Sequence, residues 1–406
     1  MNSVHLRLSS LQFLFWFAAA NGAYLTVFLQ QRGLQPDRVG LIAAINSAIV
    51  IVATPFWGTI ADKIRSIRKV LLISISGAVL FWTLIPASTS IYIGPLALMY
   101  LIIPIGSFFR MPNNSMIEAF TVQSADLGGV VFGSVRIWGS IGWVIMCFAL
   151  SFILPRTGVV FAFYIYGLSF IPFFLILFNT QDISRGKPKE KQTFKEMRFG
   201  RLFKNYYFIT YLFFALLLHM PMTISFTFMP FLVESVGGDT SMIGLVTGFR
   251  ALMEVPSLLL IKPIRKRFSL PFALGCAGLL FFIEILLLSR ATSLWQIIVI
   301  QNIHGLGAGF LIGAAASYVY LMAPEGLNAT AHTMLGAVNA VAAIFGSMVG
   351  GIMIMAVGIR TFYGIVAGIL GFALVYFALS LLVGVKFLKK PIPKDEKTEP
   401  NVLEAE

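Results

Sequence analysis

Nine ionisable side chains fall inside long apolar stretches of this 406-residue chain: Arg110, Glu118, Arg136, Arg250, Glu254, Glu284, His219, His304 and His332. A charge at bilayer depth costs several kcal/mol unless it is paired or faces water, so each is a functional candidate. Arg110, Asn114 and Glu118 recur every four residues, which on one helix makes a single stripe. Arg136, Ser140 and Trp143 follow at spacings of four and three, again one face. An acid and an arginine that point inward from adjacent helices neutralise each other across a cavity. The same pair can offer bidentate hydrogen bonds to a polar solute, while an indole offers a flat face to a ring. Asn21 and Tyr24 share a face of the first stretch with Phe17 and are expected to line that cavity. Farther along, Thr247, Arg250, Glu254 and Ser257 form a fourth stripe. A carboxylate shielded from water takes up a proton more readily than one in water, so Glu254 and Glu284 are candidate proton carriers, with Arg250 and His304 as partners. Glu254 is the favoured one, because its stripe looks like a cavity wall. His219 beside Pro221 reads as a polar residue at a helix break, and His332 as an interfacial one.

The elements that must hold these groups are membrane-spanning helices. Hydrophobic residues make up 58% of the chain and charged residues 12%, with a mean hydropathy of +0.87. So little charge could not cover a soluble surface. Twelve apolar runs, near 10–30, 37–61, 69–87, 91–120, 131–153, 158–178, 205–234, 239–262, 269–288, 294–322, 328–356 and 361–387, are each long enough to cross the hydrocarbon as a helix. The runs are continuous and lack two-residue alternation, which excludes a β-barrel. The fold class is therefore an all-α membrane protein, expected as two six-helix halves over residues 1–179 and 205–388. A basic linker, 180–204, joins them, and 389–406 is a charged, Pro-containing tail with the composition of disorder.

With a cytoplasmic N-terminus, the cytoplasmic segments hold twenty-two Lys and Arg and the opposite segments five, Arg32, Arg38, Arg156, Arg290 and Arg360. That bias places both termini in the cytoplasm of a cell membrane, the inner one in a Gram-negative cell. The formal net charge of +13 is thus an orientation signal, and it does not mark a nucleic-acid surface. Two cysteines, Cys147 and Cys276, exclude a disulfide framework or a thiolate metal site. The first run is long enough to span, so no cleavable signal is read there. No phosphate loop, metal-ligand cluster or nucleophile elbow is present. No cofactor is expected, and the chain is read as a monomer in lipid.

Two motifs carry a family resemblance. Gly58-Thr-Ile-Ala-Asp62-Lys63-Ile-Arg65-Ser-Ile-Arg68-Lys69 resembles the loop between the second and third helices of the major facilitator superfamily. There the resemblance implies a tight Gly turn and a latch that ties the two helix bundles on the cytoplasmic side, here Gly58, Asp62, Arg68 and Lys69. Arg65 stands where the family usually has Gly, and Lys262–Arg267, the equivalent loop of the second half, lacks the Asp. Glu118 precedes Arg136 by eighteen residues, and Arg136-Ile-Trp-Gly-Ser140-Ile-Gly-Trp143 follows. This is similar to the lactose permease family within the oligosaccharide, nucleoside and phenylpropionate proton symporters, as is Gly22-Ala23-Tyr24. The likeness is dense in 20–70, 115–145 and 295–310. It implies a sugar site at Glu118, Arg136, Ser140 and Trp143 and proton-coupled symport by alternating access. A nucleoside or aromatic-acid permease or an efflux carrier is the alternative, and an embedded enzyme or lipid flippase is the remote one. His304 falls at the family's coupling histidine, but Gly307 replaces the coupling glutamate, and Glu284 stands where the family has an arginine.

Overall fold

The computed structural model describes residues 3–94, 96–180, 182, 199–267, 269–324 and 327–390. The linker residues Arg185, Lys187, Lys189, Lys191, Lys195 and Arg198 and the tail 391–406 lie outside these. The first half comprises α1 (Ser3–Ala19), a 3-10 turn at Ala20–Ala23, α2 (Tyr24–Gln31), α3 (Pro36–Ile64), α4 (Ile67–Ser88), α5 (Met99–Arg110), α6 (Asn113–Leu127), α7 (Phe132–Thr157) and α8 (Val160–Phe178). In the second are α9 (Tyr206–Ser235), α10 (Ile243–Arg267), α11 (Leu270–Leu288), α12 (Leu294–Met322), α13 (Asn328–Val357) and α14 (Ile359–Lys386). Among the described residues, ten helical runs are long and apolar enough to cross a membrane, α1 and α2 counting as one. The other two expected spans are the α5–α6 pair, broken at Met111–Pro112, and α10, which carries Arg250, Glu254 and a basic end.

Local sequence sets the helix ends. Pro36 starts α3 at the position where its missing N–H costs nothing. Ser66, Asn205 and Ser293 accept backbone N–H bonds at the starts of α4, α9 and α12. Gly158 and Gly358 end α7 and α13 with φ 90° ψ 152° and φ 78° ψ 154°, a region open essentially to glycine alone. Their matching positions, each before the last helix of its half, are a mark of the internal repeat.

Three expectations are corrected. Residues 91–98 do not belong to the fourth span: Tyr92–Ile93 pairs with Leu96–Ala97 as a two-residue antiparallel hairpin, and the helix begins at Met99. Gly58 is no turn, because α3 runs on to Ile64. Lys262–Arg267 continue α10 as helix and form no loop. The turn after α3 falls instead at Arg65, in the left-handed region at φ 56° and ψ 29°. That conformation costs an L-residue about 1–2 kcal/mol, and glycine escapes it. Arg65→Gly is therefore expected to stabilise the protein by about 0.5–1 kcal/mol, once glycine's own entropy cost is set against the relief. A lower melting temperature for the variant in detergent would contradict this.

Each half packs around its own core. In the first lobe α1 lies against α7 and α8, and α4 against α5 and α8, around Trp82, Phe163, Tyr166, Phe170 and Phe173. In the second, α10 packs on α12, α11 on α12 and α14, and α9 on α13 and α14, with Phe214 stacked on Phe377 at 4.2 Å. The lobes meet through α3 with α13, α7 with α10, and α2 with α9. These contacts sit at the helix ends remote from the two termini. A Cβ on Gly40 would overlap the Ser347 carbonyl, one on Gly351 the Pro36 carbonyl, and one on Gly244 the Cys147 carbonyl. Gln30 donates to Glu234 there, and Tyr24 Oη accepts the Gly244 N–H at 3.1 Å.

Candidate functional site

On the terminus side of that contact a cavity of about 250 Å³ lies between the lobes. The first lobe contributes Trp16 from α1 and Arg136, Gly139, Ser140 and Trp143 from α7; the second contributes Phe226 from α9 and Thr247, Arg250, Ala251 and Glu254 from α10. The stripe read on α7 thus faces the cavity, and so does most of the one read on α10. Ser257, last of that stripe, is buried and donates to the Leu306 carbonyl at 2.5 Å.

The electrostatic centre of the first wall is an ion pair, Arg136 Nε to Glu118 Oε1 at 2.6 Å, with both side chains about a third exposed at 34% and 29%. Arg136 also lies over the Trp16 ring, 4.7 Å from its centroid, and Trp16 and Trp143 sit 6.1 Å apart with their planes at 59°. Trp16 is held by a relay: its Nε1 donates to Gln12 Oε1 at 3.0 Å, and Gln12 Nε2 donates to Thr121 Oγ1 at 2.8 Å. Two indoles and a guanidinium therefore share one wall, able to stack a ring and hydrogen-bond its substituents at once, while Glu118 pairs with Arg136 and is not itself among the lining residues. Trp16, Gln12 and Phe226 were not singled out from sequence; the signal available was Gln12 and Trp16 at a spacing of four on one helix face.

Behind the opposite wall, Glu284 is fully buried and accepts from Ser225 Oγ (3.3 Å), Gln301 Nε2 (3.0 Å) and His304, whose Nδ1 lies 2.7 Å from Glu284 Oε2. The His304 ring packs against Phe281 at 4.9 Å. Arg250 lies over the Phe226 ring at 5.8 Å, and its charge acts on both Glu284 and Glu254. Glu254 also feels Arg136 from the other lobe. The arginine read as a partner for Glu254 is thus shared between a cavity acid and a sealed one.

Other sequence candidates lie elsewhere. The stripe Arg110–Asn114–Glu118 is interrupted at Met111–Pro112, and its members part company: Arg110 lies over Trp82 and Glu118 pairs with Arg136. Asn114 is exposed and is not on the cavity wall. Asn21 and Tyr24 are also off it: Asn21 is buried and donates to the Ala18 carbonyl at 3.0 Å, and Tyr24 is buried in the contact between lobes. Arg68 turns within its own lobe, to Asp182 at 3.9 Å and to the Thr180 carbonyl at 2.6 Å, and Ser66 Oγ reaches Asp182 at 2.7 Å. Asp62 has a partner of its own, and Lys69 is exposed. With the lobes in contact at the remote end, Arg68 accordingly ties the start of α4 to the segment after α8 within its own lobe.

Comparison with known proteins places this geometry. A sequence model described as the MFS_1 like family matches residues 5–365. The chain is 24% identical over 381 residues to a maltose permease of Geobacillus stearothermophilus, covering 93% of this chain and 91% of that one. It is 21% identical over 348 residues to a putative sugar efflux transporter of Deinococcus radiodurans, covering 84% and 88%. Among solved structures, a D323A mutant of the nucleoside transporter NupG superposes with a TM-score of 0.81 at 19% identity, covering 93% of this chain and all of that one. A bacterial homologue of the lysosomal transporter Spinster, described as inward-facing and unoccupied, superposes with a TM-score of 0.67 at 14% identity.

Proposed function

Because the chain belongs to the MFS_1 like family and is a secondary transporter, we propose that it is a proton-coupled symporter of a sugar or similar small polyhydroxyl solute. The observation that carries this reading is Arg136 on the wall of the cavity between the lobes with Trp16 and Trp143, paired at 2.6 Å with Glu118 behind that wall. Hydroxyl groups in pairs suit a guanidinium and a carboxylate, and the C–H face of a sugar ring suits an indole. Relatives described as a maltose permease and a putative sugar efflux transporter favour the same class. The functional lobes are residues 1–179 and 205–388, acting as a monomer with both termini cytoplasmic. With that orientation the contact at the remote end makes this the inward-facing state, and rocking of the lobes opens the other side.

The count of charges suggests the stoichiometry. Glu118 and Arg136 cancel. Glu254 and Glu284 face one arginine, Arg250, so the group holds one acid more than its fixed cation balances. A net charge enclosed in the bilayer is costly, and one proton removes it. Glu254, on the cavity wall, is the group that can load from water; Arg250 then turns its attraction to Glu284.

The test is uptake into proteoliposomes over a panel of sugars, nucleosides and small acids. Accumulation of a sugar on an imposed pH gradient, at one proton per solute, is the expected result. Uptake indifferent to the gradient, or confined to nucleosides, would overturn the reading. For the coupling group, Glu254→Gln is expected to abolish uphill uptake while leaving counterflow, because exchange needs no net proton release. If Glu254→Gln and Glu284→Gln both still accumulate solute, neither carboxylate carries the proton.

A further inference from the structure

One charge inside the spans is used by neither the cavity nor the coupling group: Arg110, the last residue of α5. It takes no part in the ion pairs among the described residues. Its guanidinium lies over the Trp82 ring at 4.4 Å and the Tyr166 ring at 5.7 Å, and Nη2 donates to the Ala19 carbonyl at 3.0 Å. Two aromatic faces and a carbonyl compensate a cation that has no acid beside it. The carbonyl is a particular one. Ala19 ends α1, where the α-helical ladder tightens into the 3-10 turn Ala20–Ala23, and its carbonyl has a second lone pair that Arg110 uses. Asn21 takes the Ala18 carbonyl and Arg110 the next. A Cβ at Gly22 would overlap the Arg110 guanidinium, so the approach depends on glycine there.

This break divides span one into two working parts. Before it, Trp16 lines the cavity, held by Gln12; after it, Tyr24 accepts the Gly244 N–H of the other lobe. Arg110 itself stands at the break of span four, whose second half carries Glu118. One guanidinium therefore joins the breaks of two spans that each bear a solute-site residue. We propose that Arg110 is a positioning residue that fixes the bend of span one and, through it, holds Tyr24 against Gly244 while the lobes are closed at the remote end.

The chain carries its own reporter. Cys147 is fully buried at the lobe contact, with Thr247 Oγ1 at 3.5 Å from its sulfur, and only Cys276 need be replaced to isolate it. In a Cys276→Ser background, purified in detergent, the rate of maleimide labelling of Cys147 reads how often the contact opens. Arg110→Met is expected to raise that rate by about tenfold, the effect of losing one charge-assisted hydrogen bond. Arg110→Lys, which keeps the charge but not the planar fork, should fall between. Tyr24→Phe should also raise the rate, and the double variant should label no faster than the faster single one. A merely structural role would lower the melting temperature and leave labelling below it unchanged. Gly22→Ala displaces the guanidinium without removing it and should speed labelling too, which keeps the test decisive if Arg110→Met does not fold. Unchanged labelling in the folded variants, or effects that multiply in the double variant, would overturn the proposal.

Discussion

Arg136→Ala is expected to weaken solute binding by about a hundredfold or more while leaving the protein folded. The size follows from the place of Arg136 on the cavity wall: each charge-assisted hydrogen bond it makes to a solute contributes about 1.5–3 kcal/mol, and its planar fork can make two. Arg136 also stacks on Trp16, so its loss frees the indole as well as the carboxylate. Glu118→Gln should cost less than Arg136→Ala, because the amide can still accept a hydrogen bond and Arg136 keeps its contact with Trp16. Binding of the solute identified in the uptake screen, measured by calorimetry beside the melting temperature of each variant, separates affinity from folding. Parental affinity in a folded Arg136→Ala protein would remove the pair from the solute site.

The second large effect is expected at Gly244. A side chain there would run into the Cys147 carbonyl, Ser151 Oγ and Tyr24 Oη, all across the contact between lobes. Gly244→Val keeps the helix but penalises only the state in which the lobes touch. Overpacking of this kind costs about 1–3 kcal/mol, enough to shift a balanced two-state equilibrium roughly tenfold to a hundredfold. Transport should fall by at least about tenfold, since the cycle needs both states, whereas solute binding should survive because no cavity group has changed. Faster labelling of Cys147 would accompany it. A variant that transports at the parental rate would show that the contact at Gly244 is not closed during turnover.

The spans were legible because composition leaves no alternative for runs this apolar, and Glu118 with Arg136 was legible because their spacing puts charge on neighbouring helices at one depth. What escaped was set by backbone irregularity. The break at Met111–Pro112 leaves Arg110 on one helix and Glu118 on the next, yet four-residue spacing assumes an unbroken helix. Tyr24 has the residue type of a cavity wall, but the 3-10 turn before it aims the ring at the other lobe. Asp182, partner of Ser66 and Arg68, stands at the edge of a basic segment, where a lone acid gives no sign of its contacts. Arg65 is the reverse case: the departure from glycine was visible, and the left-handed turn is kept regardless.

The broken fourth span also bears on how the chain enters the membrane during synthesis. Two charges within one span, Arg110 at the end of α5 and Glu118 in α6, oppose partition from the translocon by about 2.5–3.5 kcal/mol each, and the break at Met111–Pro112 shortens the apolar run further. Arg110 finds Trp82 on α4, already made, but Glu118 finds Arg136 only after eighteen more residues have left the ribosome. Spans four and five are therefore best inserted together as a helical hairpin, with the Glu118–Arg136 ion pair serving first in biogenesis and only later in the folded carrier.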